Sequence, residues 1–491
     1  MPKIYFILFA VLVTLPCVIN ARVVPVSRAA DINNGIWQAG DTLQLTGGQW
    51  TDQQIVLRGE GTAKHPIVLT APTTGSVVMT GSSTLTMEGS YLESRSLLFA
   101  GTFTGESAIV TFSRDSRHCR LTKTEIRSYN MQDATKDSKW VSLYGQDNRV
   151  DYCTFSDKTN SGTLLVVWLE NGKEARHRID HCLFSDRTPN TDKNGKELNG
   201  QEIIRIGDSQ TSMTAAKCMV DSNYFSHCDG EIEIISNKSC GNVYRANTFY
   251  ECKGTLTLRH GNGCTVEDNY FIGNDAAKTG GVRLIGEDHI VRHNTMYGLA
   301  GDHYRAAICI VRGKENSALN EYYPVKNAKV YGNTIVNCKQ AFCINYNSSS
   351  ECTVAPVGVW IAENSIYIDS SCKNNYLFYL PSITGLDMRL SGNAVNRFGI
   401  YENLSPTDSE VRIESAMERP VIEPVATSGN TGCGADMLTA IGQHHTYTSV
   451  ASKQIRNGKI FISIYNEKEN SNHSAGTIGE YSVDGRCIGV R

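Results

Sequence analysis

The 491-residue chain lacks an excess of charge of either sign: 47 Lys and Arg stand against 50 Asp and Glu, a net of −3. That excludes a globally basic nucleic-acid binder and a strongly acidic disordered chain. No CxxC pair is present, so a zinc ribbon has no support. After the first twenty residues there is no long apolar run, so no transmembrane span is expected. What the chain does have is 40% apolar residues, enough for a sizeable core, and an unusual 16 Cys and 43 Gly.

The N-terminus reads Met1-Pro2-Lys3, an apolar run from Ile4 to Ile19, then Ala21-Arg22. One positive charge, a short apolar stretch and a small residue predict a signal peptide over 1–21 and an exported protein, periplasmic or extracellular. Cys17 follows Leu15-Pro16; the proline fits lipoprotein processing poorly, so lipid anchoring is the lesser expectation. Export permits disulfides. Yet setting Cys17 aside leaves an odd number of cysteines spread along the chain, which does not read as a disulfide framework.

Length alone suggests about three domains, but a repeat changes that. Alternating apolar positions leading to Asn or Cys and then another apolar residue recur at Val150-Asp151-Tyr152-Cys153, Ile179-Asp180-His181-Cys182 and Val220-Asp221-Ser222-Asn223. They continue through Asn247, Asn269, Asn294, Asn333 and Asn364, with a weaker copy at Asn393. The shortest spacing is 22 residues, and longer gaps read as insertions. This predicts a parallel β-helix, in which equivalent positions stack about 4.8 Å apart. A buried Asn at one turn of each coil bonds the coils above and below, and Cys there is a small buried filler. Gly254, Gly280, Gly281 and Gly313 precede strands and suit coil corners. Ala29–Asn34 is expected as a short capping helix, since a solenoid end must be covered. The helix is expected over 22–400, and the tail 401–491 as a cap or a small β add-on with an apolar strand at 459–464. His444-His445 in that tail reads as surface.

Between 199 and 283 the polar residues are organised. In Asp229–Lys238, alternation places Ile232 and Ile234 inward and Glu231 and Glu233 together on the outer face. In Gly254–Gly261, Leu256 and Leu258 point inward while Thr255, Thr257 and Arg259 point out. In the next coil Arg283 opposes its apolar neighbours. Stacked, these make one face of Glu231, Glu233, Arg259 and Arg283 with Lys238 at its end. Two readings stand: a cation site of hard oxygen ligands beside a basic cleft, or a solvated charged face. His260 reads equally as a turn histidine or a ligand contact.

The segments Asn199–Gly207, Glu231–Ser239 and Gly254–Asn262 resemble the signature of polysaccharide lyase family six, which holds alginate lyases and the dermatan-sulfate lyase chondroitinase B. The resemblance runs from about 28 to 395 and implies an all-β, right-handed parallel β-helix. It implies Ca²⁺ ligands at Asn199, Glu231 and Glu233, a general base at Lys238 and a general acid at Arg259. It also implies substrate contacts at His260 and Arg283, with Arg305 a further one. The implied reaction is β-elimination on a 4-linked uronate, leaving a 4,5-unsaturated sugar. Lysine acts as a base only when neutral, a form that neighbouring positive charge favours. Guanidinium hardly deprotonates, so Arg259 either donates the proton or stabilises the leaving oxygen while water donates. The Leu256–Asn262 segment is more similar to the alginate members, so the expected partner is alginate. Dermatan sulfate is the enzymatic alternative, and a β-helical carbohydrate-binding protein the non-enzymatic one.

Overall fold

The computed structural model describes residues 21–106, 108–192 and 194–433, and the backbone of four strands beyond residue 448. The expected signal peptide, apart from its last residue, and His444-His445 lie outside the described residues.

Each coil contributes three short strands, and equivalent strands pair in parallel with the coil before and after. The result is three long sheets of 14, 13 and 14 strands, a parallel β-helix. Side chains alternate between interior and exterior, so the interior is built of repeated columns. Phe155, Phe184, Phe225, Phe249 and Phe271 stack one above another with ring centroids 4.7–5.2 Å apart.

The expected asparagine ladder is present. Asn223, Asn247, Asn269, Asn294, Asn333, Asn364 and Asn393 are all fully buried. Each of the first six donates Nδ2–H to the Oδ1 of the next at 2.9–3.0 Å. Cys182 heads the row, its backbone N–H donating to Asn223 Oδ1. A second row has the same logic with mixed side chains. Cys119 N–H donates to Asn148 Oδ1 and Asn148 N–H to His177 Nδ1. Further along, Cys218 N–H donates to Asn242 Oδ1 and Cys264 N–H to His289 Nδ1. The fourteen cysteines of the described residues are free, most of them buried. Burial pushes the Cys218, Cys264 and Cys338 thiols up to about 12, so they are fillers rather than nucleophiles.

The corner glycines have a different reason from the one expected. A Cβ at Gly281 would lie 2.1 Å from the Ala307 carbonyl oxygen, so the next coil presses on it directly. Gly254 is similarly pressed by Ile232 O at 2.7 Å. Space, not backbone freedom, selects glycine there.

Helix Ala29–Asn33 covers the N-terminal end, burying Ala29 and Ile32 while Asn33 Oδ1 accepts the Val56 N–H. At the other end the coils continue past residue 400 to strand Val411–Ile413. The chain then turns back along the outside of one sheet. Arg419 donates to Tyr297 Oη, Ala426 O accepts from Thr248 Oγ1, Gly432 N–H donates to His181 O, and Cys433 N–H to Thr154 Oγ1. The described residues up to Cys433 belong to one compact unit. A second unit, 435–491, contains a four-stranded antiparallel sheet of Ser449–Arg456, Lys459–Tyr465, Ile478–Tyr481 and Cys487–Val490. Among the described residues no helix is long and apolar enough to cross a membrane.

Candidate active site

The site lies on the outward face of the 13-stranded sheet, where strands Ile204–Ile206, Glu233–Lys238, Thr255–His260 and Val282–Leu284 follow one another. The register departs from the simple alternation expected. Glu233 pairs with Thr255 but Ile235 with Leu256, so a bulge absorbs Ile234. The inward pair is Ile235 and Asn237, against Leu256 and Leu258. Ile232 is only half-buried and, with Glu231, forms a bend before the strand. The correction leaves the carboxylates together: Glu231 and Glu233 are both buried, at 8% and 9% exposure.

A third carboxylate joins them. One oxygen from each of Glu202, Glu231 and Glu233 lies within 4.8 Å of the others. Glu202 accepts from Thr163 Oγ1 at 2.6 Å, and Glu231 accepts the Gly200 N–H at 3.2 Å. Burial, then the repulsion of Glu202 and Glu233, pushes the Glu231 carboxyl up to about 8. Three crowded oxygen donors with one carboxyl so raised suit a hard cation. The acidic cluster can therefore bind a metal ion. Asn199, exposed, directly precedes Gly200 at the cluster's rim.

The basic half abuts the acidic one. Arg283, 3% exposed, reaches across strand Thr255–His260 to pair with Glu233 Oε1, and Arg259 Nε lies 3.6 Å from the same oxygen. Ser236 Oγ donates to the other Glu233 oxygen at 2.5 Å. Arg259 is gripped from above by the 313–324 loop: its Nη1 donates to Glu321 O at 2.7 Å, and its guanidinium lies 4.4 Å from the Tyr322 ring centre. That loop is pinned by paired Gly313 and Val354 backbones and by Lys314 between Glu321 and Glu351.

Lys238 ends its strand and pairs in register with His260. His260 is buried, with Nε2 3.4 Å from Ser209 Oγ. Burial, then Arg259 and Lys238, lowers its pKa to about 3, so the imidazole is neutral. Arg305 sits in the 3₁₀ turn His303–Arg305, where burial lowers its pKa and Arg283 acts in the same sense. Arg283 also faces the Tyr304 ring at 5.2 Å. His260 Nδ1 and the Nε atoms of Arg205, Arg283, Arg305 and Arg312 are buried without a hydrogen-bond partner. Buried polar atoms without a partner are uncommon in folded proteins.

The structure thus brings Glu231, Glu233, Lys238, Arg259, His260, Arg283 and Arg305 to one face, with Asn199 at its edge. Sequence reasoning missed Glu202, Arg205, Tyr304 and Tyr322. Glu202 lay within the Asn199–Gly207 segment and had a carboxylate to offer. The tyrosines come from insertions, which strand alternation does not register.

The fold is a parallel β-helix that carries an acidic cluster beside buried arginines on one sheet face. A family model described as chondroitinase B matches residues 26–414, and the chain belongs to that family. Among solved structures it is similar to the PL6-family alginate lyase AlyGC, with TM-score 0.71 and 32% identity over 82% of this chain and 53% of AlyGC. The chain therefore spans about half the length of AlyGC. It is also similar to a mannuronic acid-specific family 6 lyase from human gut microbiota, with TM-score 0.68 and 29% identity over 76% of this chain and 86% of that one. A third is the PL6 polysaccharide lyase Pedsa3628 from Pseudopedobacter saltans, with TM-score 0.68 and 25% identity over 84% of this chain and 99% of the other. No curated protein matches the chain.

Proposed function

We propose that this chain is an exported, Ca²⁺-dependent polysaccharide lyase that cleaves alginate at mannuronate-containing segments by β-elimination. The observation that carries the reading is the pairing of Lys238 with His260 on adjacent strands, flanked by the clamped Arg259 and the acidic cluster. The relatives, one described as an alginate lyase and the other as a mannuronic acid-specific lyase, support the substrate, and the N-terminal apolar run supports export. The family model's own description makes dermatan sulfate the second reading.

In this mechanism Lys238 takes the C5 proton of the uronate on its side-chain nitrogen. The C5–H electrons form the C4–C5 double bond, and the C4–O bond breaks with its electron pair leaving on oxygen. Arg259 stabilises the charge on that oxygen, the proton coming from Arg259 or from water. Neutral His260 donates or accepts a hydrogen bond without adding charge near the base. Arg283 and Arg305 hold substrate carboxylates with charge-assisted hydrogen bonds. Ca²⁺, held by Glu231, Glu233, Glu202 and Asn199, would stabilise negative charge developing at the uronate carboxylate.

The test is turnover of poly-mannuronate, poly-guluronate and dermatan sulfate by the purified protein, read by ultraviolet absorbance of the new double bond and by product mass. A rise on poly-mannuronate, absent in a folded Lys238→Ala variant, supports the reading. A rise on dermatan sulfate alone would transfer the assignment to the second reading. No rise on any uronate polymer would favour a non-catalytic carbohydrate binder.

A further inference from the structure

Four coils of the catalytic sheet carry a second feature that the elimination chemistry does not use. Leu143, Val167, Ile206 and Asn237 align in register on the interior. The residues following them, Tyr144, Trp168, Gly207 and Lys238, therefore form one column running away from the base toward the N-terminal end. Tyr144 and Trp168 are half-exposed, and their rings stack at 5.8 Å with 13° between planes. The stack is closed at both ends by arginines: Arg205 lies 5.3 Å from the Trp168 ring centre and Arg114 4.9 Å from that of Tyr144. Trp168 is further fixed by its Nε1–H donating to Ser142 Oγ at 3.2 Å.

Neither Arg114 nor Arg205 makes an ion pair among the described residues, and Arg205 Nε is a buried donor without a partner. A hollow beside the stack is lined by Arg114, Arg117, Tyr144, Gln146, Trp168 and Lys173, among others. Of the acids at its edge, Glu170 is taken by Lys173, and Glu174 by Arg176 and Lys217. Glu170 still feels Arg114, and Asp115 has no ion-pair partner among the described residues. Between the stack and Lys238 the column narrows to Gly207, at φ +80°, where a Cβ would meet Lys238 O at 2.5 Å. Gly207 is thus the one residue of the column between Trp168 and Lys238.

We infer that Arg205, Trp168, Tyr144 and Arg114 form a distal binding track for the same anionic polysaccharide, several sugars from the bond that breaks. The inference rests on the proposed function and extends it. With coils about 4.8 Å apart, Trp168 stands roughly 10 Å from Lys238 and Arg114 roughly 19 Å. Aromatic packing holds the guanidiniums in place beforehand, so less side-chain entropy is lost when a carboxylate engages their forks. The chemical class selected is a chain of carboxylated sugars, met by guanidinium groups at intervals and by aromatic edges between them.

The test compares wild type with Arg114→Ala and Trp168→Ala on a long poly-uronate and on a trisaccharide of the same composition. The expected result is that the wild-type preference for the long substrate in kcat/KM falls about tenfold in each variant, through KM. An unchanged ratio would overturn the track. If wild type cleaves no uronate polymer, the parent reading fails instead. The track is then judged by equilibrium binding of poly-mannuronate to Lys238→Ala and to Lys238→Ala/Arg114→Ala. About tenfold weaker binding by the double variant supports the track, and equal binding overturns it.

Discussion

Arg283 and Glu233 form an ion pair that spans two coils, passing over Thr257 in the strand between them. Both side chains are nearly out of contact with solvent, at 3% and 12% exposure. Breaking such a pair leaves a buried charge alone and typically costs about 3–5 kcal/mol. Glu233→Ala is therefore expected to lose stability on that scale in denaturant titration, and Glu233→Ala/Arg283→Met to recover much of it. Equal losses in the two variants would show that the pair is not what Glu233 supports.

Arg259 is expected to depend on Tyr322. The ring and the Glu321 carbonyl fix the guanidinium in place, and in the proposed mechanism that guanidinium serves the leaving oxygen. Tyr322→Ala should lower kcat more than it raises KM, by about threefold to thirtyfold, the range of a partly desolvated cation–π contact. Arg259→Lys separates the two roles of this residue. Activity with a shifted pH profile favours proton donation, whereas inactivity at every pH favours the guanidinium fork.

Chelation is expected to stop turnover and added Ca²⁺ to restore it. Glu202→Gln keeps the shape of the side chain but removes one charge from the cluster. Calorimetric titration should show Ca²⁺ affinity at least tenfold weaker than in wild type. Undiminished affinity would place Glu202 outside the ligand set.

Two histidines set an acid limit. His177 and His289 are fully buried, and each accepts a backbone N–H at Nδ1. Burial lowers their pKa values from 6.5 to about 3 and about 4. A depressed folded-state value means the unfolded chain binds the proton first. Their contribution is thus complete above pH 6.5 and is lost as pH falls toward 4. At pH 5 each costs about 2 kcal/mol relative to neutral pH. His177→Asn and His289→Asn should flatten the acid limb of a stability–pH curve, because Asn supplies an acceptor that does not titrate.

The helix was legible because its key letter repeats: Asn223 through Asn393 each perform one bonding task at one turn, so the spacing shows the coil. The histidine row was not, because His177 and His289 do asparagine's task with a different side chain. The strand face of Lys238, Arg259 and Arg283 followed from alternation, which holds wherever pairing is regular. The bulge at Ile234 breaks that pattern, and only contact with the neighbouring coil shows where. Glu202 lies just outside a strand, beyond the reach of any periodic reading.

The returning segment 414–433 changes how this molecule comes apart. In a solenoid each coil touches only its neighbours, so unravelling can start at an end and advance one coil at a time. Here segment 414–433 is fastened to coils as far back as Thr154. Tension applied at Cys433 is thus delivered to the middle of the stack, and the terminal coils are shielded until Gly432, Ala426 and Arg419 have let go in turn. A pulling experiment on Cys433 should record the release of these tethers before any terminal coil unwinds.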